Sequence, residues 1–209
     1  MKKYAIIVAG GSGTRFGSTL PKQFIPLGGV PVLMRTIKAF ADYDRDINIV
    51  VALPSEHLTL WGDLCALRNF DVPHKVVEGG ANRFESVRNA LFAVNETECL
   101  VAVHDGARPL VSRQVIAAGF ETAARCGTAI PTVPVTDSIR QLDRNGSHNV
   151  SRESLVAVQT PQTFRVEILK EAYTTAFSPL FTDELCHCRV VEVHLGGLGL
   201  FPVALAGEE

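Results

Sequence analysis

Residues 5–22, AIIVAGGSGTRFGSTLPK, hold the side chains best placed for chemistry: a turn rich in glycine, then Arg15 and, seven residues on, Lys22. Ala5–Ala9 form a short, continuously apolar run, as a strand buried on both faces of a parallel sheet requires. Gly10, Gly11 and Gly13 carry no Cβ, so backbone N–H groups can turn inward and approach anionic oxygens closely. Full positive charges on Arg15 and Lys22 beside such a cradle suit a triphosphate.

The spacing separates this turn from two better known phosphate loops. A P-loop needs a Gly-Lys pair followed by Ser or Thr, and the sequence has none. Gly11, Gly13 and Gly17 are spaced G-x-G-x-x-x-G, one residue too long for the dinucleotide fingerprint, so hydride transfer is disfavoured.

Around the turn, strand and helix signals alternate, which argues for a parallel sheet with helices on its faces. Pro31 opens a helix whose Leu33, Ile37 and Phe40 recur at helical spacing, and Ile47–Leu53 is the next strand. A helix around Trp61 and Leu64, a short strand over Lys75–Val77 and a helix over Arg83–Val94 follow. Leu100–His104 reads as a strand ending in Asp105. Ser112 is placed to cap a helix that reaches Arg125 and closes at Gly127, and Thr128–Val135 returns as a strand. The alternation then breaks. Ser138–Asp143, a turn at Asn145-Gly146 and a second extended run to Gln159 read as a hairpin arm over about 136–164. Such an arm is too thin to bury its own apolar side chains, so a partner should cover them.

Asp105 ends a strand at the place where open α/β sheets hold ligands. A carboxylate there can bind Mg²⁺, cap a helix, or pair with Arg108, and the residues alone leave these readings open.

At 209 residues, with 46% hydrophobic and 20% charged residues, the chain suits one globular α/β domain over 1–209. Its net charge of −2 attracts neither nucleic acid nor an anionic membrane, so an anionic substrate must be held by a local cluster of cations. No apolar run approaches the length of a membrane span, and Met1-Lys2-Lys3 leads straight into a strand, so a cytoplasmic location is expected. Five cysteines at irregular spacing suit a reducing compartment, and Cys186-His187-Cys188 is too tight for the usual zinc pattern.

Several blocks occur in a telling order: A-G-G-x-G-T-R-x-G from Ala9, Pro21-Lys22-Gln23, Gly79-Gly80 with Arg83 and Ser86, and Val103-His104-Asp105-Gly106-Ala107-Arg108-Pro109. Thr160-Pro161-Gln162 and Thr182-Asp183-Glu184 complete them. Together they resemble the 2-C-methyl-D-erythritol 4-phosphate cytidylyltransferase family across residues 4–184. The resemblance implies a Rossmann-like three-layer α/β/α fold of the nucleotide-diphospho-sugar transferase type, with a mostly parallel twisted sheet and a protruding β-hairpin arm. It also implies transfer of CMP from CTP to methylerythritol phosphate, with Mg²⁺, in isoprenoid precursor synthesis.

By the same resemblance, Arg15, Lys22 and Arg152 are catalytic. Ala9, Gly10, Gly11, Gly13, Gly79, Gly80, Ser86, Asp105 and Gly106 bind CTP, with Asp105 at the metal and Gly106 letting the backbone approach the nucleotide. Arg108, Ser138, Arg152, Thr160 and Thr182 meet the acceptor. The arm would embrace a second subunit, giving a homodimer in which Ser138 and Arg152 serve the partner's site.

Ribitol 5-phosphate is an alternative acceptor, and nucleotide binding without turnover is a further alternative. The latter arises because residues 185–209 depart from the family, lacking its Asn-Ile-Lys segment and closing helix. A changed reading frame or a truncation would account for that tail and would weaken activity or solubility.

Overall fold

A computed structural model describes residues 1–11, 20–144 and 146–175, together with the backbone of four short strands between residues 188 and 205. β1 (Lys2–Val8) runs through the middle of the main sheet. Its side chains divide between two cores, Ala5 and Ile7 on one face and Tyr4 and Ile6 on the other. That division is why the run is apolar without alternation.

A short 3-10 turn, Lys22–Phe24, precedes a small antiparallel pair, β2 (Pro26–Leu27) and β3 (Val30–Pro31). Then come α1 (Val32–Tyr43), β4 (Asn48–Leu53), α2 (Leu58–Leu67), β5 (Lys75–Glu78), α3 (Arg83–Phe92) and β6 (Cys99–Asp105). α4 (Arg113–Cys126) and β7 (Thr128–Pro134) complete the regular alternation. Pro31 takes the cap position, one residue before the helix it was expected to open. Ser112 caps α4 by accepting from the Val115 N–H at 3.2 Å, and Gly127 closes it at φ 88°.

The elements that follow are β8 (Ile139–Asp143), β9 (Gly146–Val150), β10 (Val156–Val158), β11 (Gln162–Arg165) and α5 (Val166–Thr175). Past them lie β12 (Cys188–Val190), β13 (Val193–Leu195), β14 (Leu198–Phe201) and β15 (Val203–Leu205). The sheet order is β13-β14-β7-β11-β6-β1-β4-β5, with β10 also on β7. β5, β4, β1 and β6 pair in parallel, whereas β11 enters antiparallel between β6 and β7. The sheet is therefore mixed, and parallel over β5, β4, β1 and β6.

Helices cover both faces. Leu33, Ile37 and Phe40 of α1, Trp61 of α2 and Phe120 of α4 pack in one core. Val87 and Leu91 of α3 join Leu169 and Tyr173 of α5 in the other. This is the three-layer arrangement expected from the alternation.

The arm is shorter than its sequence suggests. The β8–β9 pair spans 139–150, while β10 and β11 return to the main sheet. The open edges of β6 and β7 satisfy the backbone groups of these strands, and Phe164 of β11 is 1% exposed. A period of two reveals a strand but not which sheet it joins. Leu142 stands 81% exposed on the arm. Asn145 of the expected turn and most of the 185–209 tail lie outside the described residues.

Gly106, just past the end of β6, packs closely against the protein itself. Its N–H donates to the Val8 carbonyl at 2.8 Å and its carbonyl accepts from Thr36 Oγ1 at 2.9 Å. A Cβ there would lie 2.9 Å from Ala9 Cβ, 3.1 Å from Leu33 Cδ1 and 3.2 Å from the Val8 carbonyl oxygen. Gly106→Ala should therefore lower stability by about 1–3 kcal/mol through overpacking. An unchanged urea midpoint in that variant would show that the space is there after all.

Candidate active site

β1 and β6 pair so that Val8 stands opposite Asp105. Both strands end at the same edge, and the chain leaving each enters a cleft of about 420 Å³. Its floor is Ala9–Gly11 and Asp105, its rim is Lys22, Arg83 and Arg108, and its far wall is the start of α3.

The glycine turn and Lys22 meet across a close approach. A Cβ on Gly11 would lie 3.3 Å from Lys22 Cε and 3.8 Å from Lys22 Nζ. Glycine here leaves the lysine stem room to cross the loop, bringing its ammonium group beside Gly11. Gly13 and Arg15, expected on the same loop, lie outside the described residues.

Asp105 is 29% exposed and holds two guanidinium groups. Its Oδ2 is 2.9 Å from Arg108 Nε, and its Oδ1 is 3.3 Å from Arg83 Nη2. Arg108 is anchored again by Gln159, whose Oε1 accepts from Nη1 at 2.7 Å. Of the three readings weighed for Asp105, the pairing with Arg108 is the one observed, and the carboxylate also lines the cleft. Among the described residues no cluster of three or more His, Cys, Asp or Glu could hold a metal unaided. One hard oxygen donor at a cleft floor fits a Mg²⁺ ion that draws its other ligands from phosphate and water.

α3 presents its N-terminus to the cleft, with Asn82 as its cap. Asn82 Oδ1 accepts from the Glu85 N–H at 2.8 Å, and Glu85 Oε2 accepts from the Ala81 N–H at 2.8 Å. Ser86 is 2% exposed, donates to the Asn82 carbonyl at 2.8 Å and accepts from the Gly80 N–H at 3.1 Å. Its hydroxyl therefore ties the 80–82 loop to the helix at the cleft wall. The Gly79 N–H is likewise used, donating to the Leu53 carbonyl at 2.7 Å. What residues 79 and 80 retain are carbonyl acceptors.

The described structure brings Ala9, Gly10, Gly11, Lys22, Gly80, Ser86, Asp105 and Arg108 to one cleft. Ser138, Arg152 and Thr160 do not line it; Arg152 instead donates to the Thr136 carbonyl at 2.8 Å at the foot of the arm. Thr182 lies outside the described residues. Asn82, Gln23 and His104 were passed over. The N-x-x-E spacing could have found Asn82; Gln23 and His104 stood in the quoted blocks without a role.

Once this geometry is in hand, comparison with known proteins gives it a context. The family described as IspD, 2-C-methyl-D-erythritol 4-phosphate cytidylyltransferase, matches residues 4–196. A 2-C-methyl-D-erythritol 4-phosphate cytidylyltransferase of Bacteroides thetaiotaomicron is 48% identical over 197 residues, covering 93% of this chain and 90% of its own length. One from Porphyromonas gingivalis is 48% identical over 204 residues, covering 98% and 87%. The solved enzyme of the same description from Thermus thermophilus superposes with a TM-score of 0.67 at 33% identity, covering 88% and 81%. That from Francisella tularensis gives 0.72 at 31%, covering 88% and 83%. The family match runs past residue 184, where the quoted blocks end.

His104 supports the loop that carries Arg108. Its Nε2 donates to the Arg108 carbonyl at 3.0 Å, which leaves Nδ1 as a buried acceptor without a partner among the described residues. Burial pulls the imidazole pKa down to about 4, against the opposing pull of that hydrogen bond. The unfolded chain thus takes up this proton below about pH 6.5, and the folded chain refuses it until about pH 4. The histidine's contribution to stability should fall as pH drops through that window, by about 3 kcal/mol in all, and stay constant below it. Asp44, held down by Lys3, and Glu96, held down by Lys2 and Tyr4, lose their contributions at lower pH, which leaves pH 5.5–7 to the histidine. An imidazole NMR signal that stays neutral to about pH 4, and a stability slope flattened by His104→Gln, are expected; titration near 6.5 would contradict the assignment.

Proposed function

From the premise that this chain belongs to the 2-C-methyl-D-erythritol 4-phosphate cytidylyltransferase family, we propose that its cleft transfers CMP from CTP to 2-C-methyl-D-erythritol 4-phosphate. The chain is a nucleotidyltransferase of isoprenoid precursor biosynthesis. The observation that carries the assignment to this cleft is the meeting of Lys22, the glycine turn and Asp105 at the ends of β1 and β6.

A phosphate oxygen of the acceptor attacks the α-phosphorus of CTP. The bond from that phosphorus to the β-bridging oxygen breaks, and pyrophosphate leaves with the electron pair. Attacker and target are both anions, so the residues must neutralise charge and align the reactants. Lys22 and Arg15 serve the triphosphate, with the N–H groups of the turn turned toward its oxygens. Arg108 binds the acceptor phosphate in a forked contact.

Enzymes of the family are generally dependent on divalent metals. Mg²⁺ is the ion proposed here; when bound it neutralises phosphate charge, and Asp105 would hold it. The base lies against residues 79–86. With both N–H groups of Gly79 and Gly80 spent, the remaining backbone acceptors favour the amino edge of cytosine over the carbonyl edge of uracil.

Ser138, Arg152, Thr160 and Thr182 are assigned to the acceptor, Ser138 and Arg152 in the partner's site of a homodimer. Leu142, 81% exposed on the arm, gives that arm an apolar contact for a second subunit. Among the described residues no helix is long and apolar enough to cross a membrane, and a cytoplasmic location is proposed.

The direct test is Mg²⁺-dependent pyrophosphate release from CTP with methylerythritol phosphate or ribitol 5-phosphate offered separately. Release with the first alone is expected. Release with the second alone would reassign the acceptor, and CTP binding without release would mean a catalytically impaired chain.

Subunit exchange tests the arm. Lys22→Ala and Arg152→Ala should each cost about two to three decades in kcat. Mixed and re-annealed, the two variants should regain roughly a quarter of wild-type activity, because half the dimers then carry one intact site. A mixture no more active than its components would place Arg152 in its own subunit's site or in none.

A further inference from the structure

Gln23 sits in the turn Lys22–Phe24, is 1% exposed and borders the cleft. Its Nε2 donates to the Ala9 carbonyl at 2.7 Å, and the Ala9 N–H donates to the Ala52 carbonyl at 3.0 Å. The Ala9 carbonyl and the Gly10 N–H belong to one planar trans peptide and point in opposite directions. Pinning the carbonyl on Gln23 therefore sets the direction of the Gly10 N–H, on a residue exposed at the cleft.

The same turn carries Lys22 across Gly11, as described above. Phe24 is its anchor, 1% exposed, stacked on Trp61 at a centroid distance of 6.1 Å and edge-on to His57 at 5.6 Å. One rigid turn thus holds the glycine loop through residue 23 and the cation through residue 22. Gln23 Oε1, in contrast, is buried without a hydrogen-bond partner among the described residues. That oxygen carries an uncompensated desolvation cost, so the carboxamide is a poor choice for packing alone. What it supplies is the N–H to Ala9.

We infer that Gln23 is a positioning residue for the nucleotide: it aims the Gly10 N–H and couples the glycine loop to Lys22, so that both meet the polyphosphate as one preorganised unit. The inference rests on the reading of this cleft as a CTP site.

Gln23→Met keeps the length of the side chain and removes both its donor and its orphaned oxygen. Calorimetric binding of CTP, steady-state kinetics in each substrate and thermal unfolding would be compared with the wild-type chain. The Kd and KM for CTP should rise about tenfold or more, while the KM for methylerythritol phosphate stays within about twofold. The Tm should move by no more than a few degrees, because a lost hydrogen bond is offset by relief of the buried oxygen.

Unchanged CTP affinity overturns the inference. So does a large loss of Tm with no selective effect on CTP, which marks a residue serving the fold. If Gln23→Met does not fold, Gln23→Leu also removes the donor without adding a charge and is read by the same CTP binding. Wild-type protein that binds CTP but releases no pyrophosphate marks a catalytically impaired chain and leaves Gln23 judged on binding; wild-type protein that does not bind CTP overturns both.

Discussion

Val8 stands opposite Asp105 in the parallel ladder between β1 and β6, and the rest of the site is arranged around that register. It brings a glycine turn and a carboxylate, nearly a hundred residues apart in sequence, to the same edge of the sheet. The Gly106 N–H bonded to Val8 and the Ala9 N–H bonded to Ala52 extend the ladder one step past the strands. A slip of one residue would turn the alternating core side chains of β1 to the wrong faces, so packing on both sides holds the register. The close contact of Gly106 with Ala9 and Leu33 is a consequence of that fit.

Charge at the cleft is balanced within the protein. Asp105 lies between Arg83 and Arg108, and Glu85 answers the positive end of α3 from its first turn. Lys22 crosses Gly11 on the opposite rim. Under the proposed reading, a triphosphate in this cleft meets cations already aligned, so little reorganisation is needed when charge develops in the transition state. Rigidity comes from neutral groups behind the charged ones: Gln23 on the loop, His104 on the carbonyl of Arg108, Ser86 on residues 80–82. Two of these groups leave a buried polar atom without a partner among the described residues, a cost tolerated where geometry matters more than stability.

Much of this could be read in the sequence because it depends on local pattern. The apolar run at Ala5–Ala9, the cap at Ser112 and the closing Gly127 each state their conformation directly. The order of glycine, lysine and aspartate blocks located the cleft as well. Long-range pairing could not be read: β10 and β11 look like the return of a hairpin, and the available edges of β6 and β7 decide otherwise. The protein contacts of Gly106 and Ser86 could not be read either, because a residue type names a capacity, whereas neighbours determine its use. Gly106 had room taken by Ala9, and Ser86 had its proton taken by Asn82. Gln23 went unassigned because its partner is a backbone carbonyl, which no side-chain motif announces.

The most direct measurement is a nuclear magnetic resonance titration of the isotopically labelled chain with CTP and Mg²⁺, followed at the backbone amides. The amides of Gly10, Gly11 and Ala81 should shift most, with UTP acting more weakly at the same positions. Shifts centred elsewhere, or equal shifts with UTP and ATP, would contradict a CTP site at the ends of β1 and β6.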